Sequence, residues 1–188
     1  MIQLENDFGS INWSQDRYAQ AYRFAAEAHR GQTYPGTDLP YLMHISFVSM
    51  EIIAALNTER DRDGDLAVQC ALLHDVIEDT DVTADRVEAE FGEQVARGVL
   101  ALTKDSTLAK AQQMQDSLHR IQQQPYEVWM VKLADRIANL APPPHHWTTE
   151  KRERYGQEAL EIHAALHKAS DTLGKRLLEK AQAYPSYV

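Results

Sequence analysis

The chain has 188 residues, with 19 Lys and Arg against 28 Asp and Glu, a formal charge of −9, and 44% hydrophobic residues. A domain of this size buries roughly 70% of the surface its unfolded chain exposes, so no disulfide or structural metal is needed to hold a core, and the single Cys70 excludes a disulfide frame or a Cys-rich zinc knuckle. The acidic balance argues against nucleic acid as a partner, and neither an export leader in MIQLENDFGS nor a run near the roughly 20 apolar residues of a membrane span is present, which points to a cytoplasmic protein with no membrane contact.

The first helix is marked by Tyr18, Tyr22, Ala25 and Ala28 after a Ser14 cap, and the second by Ile45, Val48, Ile52 and Leu56. The same periodicity predicts helices over 65–77, 83–90, 93–102, 108–121, 126–140, 149–167 and 171–183. Between them lie Gly31–Pro40, Asn57–Gly64, Thr103–Thr107, Gln122–Pro125 and Ala141–Thr148, the last containing three consecutive prolines that stop the preceding helix. No repeat, linker or low-complexity tract divides the chain. The expected fold is therefore one all-α bundle spanning residues 1–188, with room for a short hairpin in the first loop only.

CALLHDVIEDT (Cys70 to Thr80) is the most informative stretch. On a continuous helix His74 neighbours Glu78 and Asp75 neighbours Asp79, and these charged groups sit among Ala71, Leu72, Leu73, Val76 and Ile77, which demand burial. Buried charge is costly unless paired or bound to a metal. Two further places carry the same contradiction: His44 in PYLMHI opens the second helix, and Asp135 lies inside the apolar VKLADRIANL. His44, His74, Asp75 and Asp135 together supply two imidazoles and two carboxylates, a mixed nitrogen and oxygen set for one divalent cation. Its oxygen share favours Mn²⁺ or Fe²⁺ and leaves Zn²⁺ open. Glu78 and Asp79 are then free to act as general base and as water-orienting group or general acid, in either assignment.

HRGQ (29–32), PYLMH (40–44), ALLHDVIEDT (71–80), FGEQVARGVLALTKD (91–105), VKLADRIANL (131–140) and EKRERYGQEALEIHAAL (150–166) occur in this order. This set resembles the hydrolase domain of the RelA/SpoT alarmone enzymes, within the all-helical HD-domain metal-dependent phosphohydrolases, over roughly residues 18 to 170. The resemblance implies an HD-domain helical bundle and hydrolysis of the 3′-pyrophosphate of (p)ppGpp to GDP or GTP and pyrophosphate with one Mn²⁺. It implies metal ligation by His44, His74, Asp75 and Asp135, catalysis by Glu78 and Asp79, and a nucleotide contact from Asn139. With no length left for a synthetase domain, the chain is similar to the stand-alone small alarmone hydrolases of the Mesh1 type, for which NADPH 2′-phosphatase activity is also known. The other readings are a general HD-type nucleotidase or phosphodiesterase and, in a different class, a non-catalytic nucleotide-sensing domain.

The loop from Thr33 to Leu39 departs from the family, which carries a basic pair there; Tyr34 offers a face for a purine instead. Ile45 likewise stands where a proline is usual. Lys104 in TKD can meet a phosphate or close a helix against its dipole. Arg154 and Lys151 match family positions in the EKxxR stretch, where a guanidinium can fork onto a phosphate, but both belong to an ordinary charge run. Trp147 and Tyr155 are expected in the core, His29 at a helix end facing the dipole, His145 and His146 exposed, His119, His163 and His167 on helix surfaces, and Cys70 in the core.

Overall fold

Among the described residues, five helices begin on a side chain that accepts from the backbone three residues ahead. Ser14 caps α1 (Gln15–Ala28), Asp63 caps α3 (Gly64–Leu73), Thr83 caps α5 (Ala84–Phe91), Thr148 caps α9 (Thr149–Leu166) and Ser170 caps α10 (Asp171–Ala183). Each such cap satisfies an otherwise orphaned N–H and is worth about 1 kcal/mol. The remaining helices are α2 (Leu42–Leu56), α4 (Val76–Asp79), α6 (Glu93–Leu102), α7 (Lys110–Ile121) and α8 (Tyr126–Asn139). The computed structural model describes residues 11–143 and 146–186. The expectations for MIQLENDFGS, Pro144 and His145 lie outside the described residues.

The all-α architecture expected from periodicity is the one adopted. Among the described residues the sole bridge between extended segments pairs Thr33 with Pro40, antiparallel, so the anticipated hairpin in the first loop is a single rung, tied by Tyr34 N–H to Leu39 and Tyr41 N–H to Gln32. No described helix is long and apolar enough to cross a membrane.

At the centre lies α3, buried from Gly64 to Leu73 except for Asp65, as a helix apolar on every side must be. It packs against α1, α2, α6 and α8, while α8 also packs against α2, and α10 closes over α8 and α9. Gly98 permits the close approach of α6, since a Cβ there would stand 2.8 Å from Cys70 Sγ and 2.9 Å from Val128 Cγ2.

One element differs from expectation. The helix predicted over 65–77 breaks after Leu73: Asp75 takes φ −104°, ψ −3° and caps the short α4, whose Asp79 N–H bonds the Asp75 carbonyl at 2.9 Å. The apolar pattern runs through this break, since Val76 is buried like Leu72 and Leu73, so periodicity alone does not reveal it. The expected helix over 108–121 begins instead at Lys110.

The entry to α3 yields a stability test. Asn12 Nδ2 donates to the Arg62 carbonyl at 3.0 Å and Ser14 N–H to Asp65 at 2.6 Å, strapping the chain across Gly64. A Cβ on Gly64 would overlap the Asn12 carbonyl. Gly64→Ala is therefore expected to destabilise by about 2 kcal/mol, seen as a Tm lowered by roughly 4–8 °C; an unchanged melting curve would mean that this strap yields freely.

Candidate active site

The start of α2, the junction of α3 and α4, and the last turns of α8 meet at one end of the bundle. His44 and His74 are buried, at 2% and 3% exposure, with their Nε2 atoms 3.3 Å apart. His74 Nδ1 lies 2.8 Å from the Ala71 carbonyl. A carbonyl can only accept, so Nδ1 carries a proton and Nε2 is the nitrogen turned into the site, where it holds either a second proton or a cation. Asp75 Oδ2 stands 2.9 Å from His74 Nε2 and 3.6 Å from His44 Nε2, and Asp135 Oδ1 stands 3.4 Å from His44 Nε2 and 3.9 Å from His74 Nε2.

These spacings test the fit of a cation. Ligand atoms about 2.0–2.2 Å from a common centre are separated by roughly 3–4 Å, the range seen here. Two imidazole lone pairs pressed together with two carboxylates repel unless a proton or cation lies among them. His44, His74 and Asp75 form the one group of potential ligands this close among the described residues, and Asp135 adjoins it.

Neighbouring groups hold the carboxylates ionised. Burial works against the Asp75 charge, but His74 and the Tyr41 hydroxyl, which donates to Asp75 Oδ2, hold its carboxyl well below the usual range. Asp135 behaves alike: burial is outweighed by Lys132, whose Nζ is 3.1 Å away, and by the two histidines. Burial likewise disfavours a charged His74, yet Asp75 and Asp135 push it up to about 9. Asn139 Nδ2 donates to Asp135 Oδ1 at 2.6 Å, fixing the carboxylate that faces the imidazoles.

Glu78 and Asp79 stand on the rim of the same cavity, which measures about 130 Å³ and is lined also by Tyr41, Leu102, Lys104, Lys132 and Asn139. Both oxygens of Glu78 are engaged by one residue: Oε1 by Lys104 Nζ at 2.6 Å and Oε2 by the Lys104 backbone N–H at 2.9 Å. The TKD segment thereby acquires a part for each member. The Thr103 hydroxyl bonds the Val99 carbonyl, Lys104 grips Glu78, and Asp105 closes the turn by accepting from Thr107. The Asp79 carboxyl is raised by burial and by Asp75 and Glu78 nearby. Its carbonyl accepts from Gln32 Nε2 at 2.8 Å, and Gln32 Oε1 is in turn 2.8 Å from Nδ1 of the buried His29.

A larger cavity of about 1050 Å³ opens beside the first and shares Tyr41 and Asn139 with it. Its walls carry the aromatic rings of Tyr34, Trp147, Tyr155 and Tyr184, and Lys151 brings a cation to it. Trp147 and Tyr155 meet edge to face at 5.3 Å, Lys151 Nζ lies 3.9 Å above the Trp147 ring, and Arg136 backs Tyr155 at 4.4 Å. Tyr34 stacks on His44 at 5.9 Å, and its hydroxyl lies 3.5 Å from Asn139 Oδ1.

Of the residues singled out from sequence, His44, His74, Asp75, Asp135, Glu78, Asp79, Lys104 and Asn139 converge on the small cavity, and Tyr34 on the large one. Arg154 does not join them: it is exposed and lines neither cavity, while Lys151, one helical turn earlier, does. Trp147 and Tyr155, expected in the core, pack half-buried against it and also form cavity wall. His29 is buried against Tyr41 and Gln32 and not merely a dipole partner. Cys70 is buried as expected, with its thiol pushed up by burial, and His119 is exposed while His163 and His167 stack half-buried. Tyr41, Gln32 and Lys132 were not anticipated; for Lys132 the i,i+3 spacing to Asp135 was the available signal.

Residues 21–172 match the family described as HD domain. The chain is 31% identical to the guanosine-3′,5′-bis(diphosphate) 3′-pyrophosphohydrolase MESH1 of Mus musculus over 163 residues, 84% of this chain and 89% of that protein. It is 36% identical over 158 residues to the guanosine-3′,5′-bis(diphosphate) 3′-pyrophosphohydrolase of Vibrio cholerae, covering 78% of this chain and 21% of that longer protein. A solved metazoan orthologue of SpoT that hydrolyses ppGpp shares the fold with a TM-score of 0.77 at 28% identity, over 90% of this chain and 96% of that one.

Proposed function

This chain belongs to the HD-domain family, and from that premise we propose that it is a metal-dependent phosphohydrolase removing the 3′-pyrophosphate of (p)ppGpp-type nucleotides. The reaction adds water across the bond between the 3′ oxygen and phosphorus, and it releases GDP or GTP and pyrophosphate. The single observation that carries this reading is the coupling of two sites. A cation-fitting cluster with an adjacent carboxylate pair opens directly into an aromatic cavity of nucleotide size. The matched span and the one continuous core, from Ala21 to Tyr184, support reading the chain as a single hydrolase domain.

His44, His74, Asp75 and Asp135 would hold the cation, and Mn²⁺ would suit their nitrogen and oxygen set. When bound there, it supplies Lewis-acid polarisation of a phosphoryl oxygen and lowers the pKa of water. Glu78, with both oxygens fixed as acceptors, takes the proton from the attacking water. Asp79, its carboxyl raised by burial and by its acidic neighbours, keeps a proton more readily and delivers it to the departing 3′ oxygen. Lys104 and Lys132 offset negative charge at the phosphate end, while Tyr34, Trp147 and Tyr155 offer faces to the base and Asn139 ties the two halves together. A free small-molecule nucleotide, and not a nucleic acid or membrane, is the partner that an acidic chain with cations gathered at its cavities accommodates. The cytoplasm, where such nucleotides occur, is the compartment proposed.

Purified protein incubated with Mn²⁺ and, separately, ppGpp, ppApp, NADPH or 5′-mononucleotides is expected to release pyrophosphate from the 3′-pyrophosphorylated nucleotides, resolved by ion-exchange chromatography. Release from neither ppGpp nor ppApp overturns the reading, and orthophosphate from NADPH alone reassigns the enzyme as a 2′-phosphatase. Metal binding has its own readout. Mn²⁺ added to chelator-treated protein at about 100 times its Kd contributes about 2.7 kcal/mol, so Tm is expected to rise by roughly 5–10 °C; a Tm insensitive to Mn²⁺ and other divalent cations would exclude a metal site.

A further inference from the structure

Arg120, on α7, lines neither cavity, yet it holds the segment that grips Glu78. Its guanidinium donates from Nη1 to the Leu100 and Ala101 carbonyls at 2.7 and 3.1 Å, from Nη2 to the Thr103 carbonyl at 2.8 Å, and from Nε to Asp116 at 2.8 Å. The Thr103 carbonyl and the Lys104 N–H are the two ends of one peptide group, and that N–H donates to Glu78 Oε2 at 2.9 Å. A cation is therefore bonded at the oxygen end of a peptide whose nitrogen end is bonded to the carboxylate.

Two physical consequences follow. The guanidinium fixes the plane of the peptide, and so the direction in which its N–H points. It also polarises the peptide, strengthening the donor at the far end, as in any chain of hydrogen bonds inside a protein. Lys104 Nζ, on Glu78 Oε1 at 2.6 Å, is a flexible charge and cannot by itself orient the carboxylate plane; the backbone donor can. Three carbonyls at spaced positions require the planar fork of an arginine, which an ammonium does not reproduce.

We infer that Arg120 is a positioning residue for the hydrolysis, orienting the Glu78 carboxylate through the Thr103–Lys104 peptide. This rests on the reading of Glu78 as the group that takes the proton. The competing role is structural: Arg120 would only satisfy the orphan carbonyls at the end of α6.

A double-mutant cycle on the Mn²⁺-loaded full chain separates the two. Arg120→Ala is expected to lower kcat on the order of 10- to 100-fold through misplacement of Glu78, with KM and the Mn²⁺-induced rise in Tm little changed. In the Glu78→Gln background the same substitution is expected to lower kcat by less than about threefold, because the group it positions has already been disabled. Equal losses in both backgrounds, or an unchanged kcat in Arg120→Ala, overturn the inference while leaving Glu78 in its place. A Glu78→Gln enzyme as fast as wild type instead overturns the reading of Glu78, and the inference with it. If Arg120→Ala does not fold, the cycle is run with Arg120→Lys, which keeps the charge and the alkyl stem, and the same non-additivity is required.

Discussion

Asp75→Asn is expected to yield a folded protein that retains no divalent metal and has lost at least about a thousandfold in kcat/KM, a larger loss than the 10- to 100-fold typical of removing a partner outside the ligand set. Asparagine has the shape of aspartate and its carbonyl oxygen still accepts from the Tyr41 hydroxyl, so the packing of His44, His74 and Tyr41 need not change. What disappears is the negative charge 2.9 Å from His74 Nε2. Two imidazoles and one remaining carboxylate then face a cation with half the counter-charge. Metal analysis of the purified variant, together with its Tm with and without Mn²⁺, checks the expectation. One equivalent of metal retained in the variant would remove Asp75 from the ligands. Tyr41→Phe offers the comparison within the same cluster, since it deletes only the hydroxyl bonded to Asp75 and should fall in the 10- to 100-fold range.

Glu78→Gln is expected to behave differently, keeping its metal and its KM while kcat falls by about 10²- to 10⁴-fold, or roughly 3–5 kcal/mol in the barrier. The distinction comes from where the carboxylate points. Glu78 is turned toward the Lys104 ammonium and the Thr103–Lys104 peptide, whereas Asp75 is turned toward the imidazoles. Glutamine keeps one acceptor for the backbone N–H but cannot take a proton from water. Metal content and steady-state kinetics on the same preparation decide the matter: loss of metal equal to that of Asp75→Asn would merge the two roles, and a kcat within about twofold of wild type would pass the proton to Asp79.

The helices were readable because their signals are local. Ser14, Thr83, Thr148 and Ser170 stand at helix starts as side chains that accept from the backbone just ahead, and each helix carries its apolar stripe at its own period. The metal-fitting residues were readable for the opposite reason. His74 and Asp75, at the junction of α3 and α4, and Asp135, within α8, interrupt apolar runs of the sequence, and a charge in such a setting calls for a partner. Arg154 and Trp147 show where this reasoning stops. Arg154 shared a motif with cavity-lining residues, but which side of α9 faces the cavity depends on how that helix is rotated against α8 and α10, and Lys151 has that side. Trp147 and Tyr155 look like core residues because a large aromatic ring is apolar in either place, and only the neighbouring elements determine whether it faces packing or open space.

The all-helical class, the helix starts other than that of α4 to within two residues, and the titratable groups His44, His74, Asp75, Asp135, Glu78 and Asp79 in their apolar settings were legible in the amino-acid sequence. Helix period and capping are local along the chain, whereas His44, His74 and Asp135 are far apart in it and are linked only by a shared chemistry, a titratable group set in apolar surroundings. Packing in three dimensions was needed to see that the helix breaks between Leu73 and Val76, that Tyr41 and Lys132 hold the carboxylates, that the larger cavity joins the cluster at Asn139, and that Arg120 reaches the peptide that grips Glu78. These contacts join residues brought together by packing, and a hydrogen bond depends on distances of tenths of an ångström and on direction, which no one-dimensional pattern records.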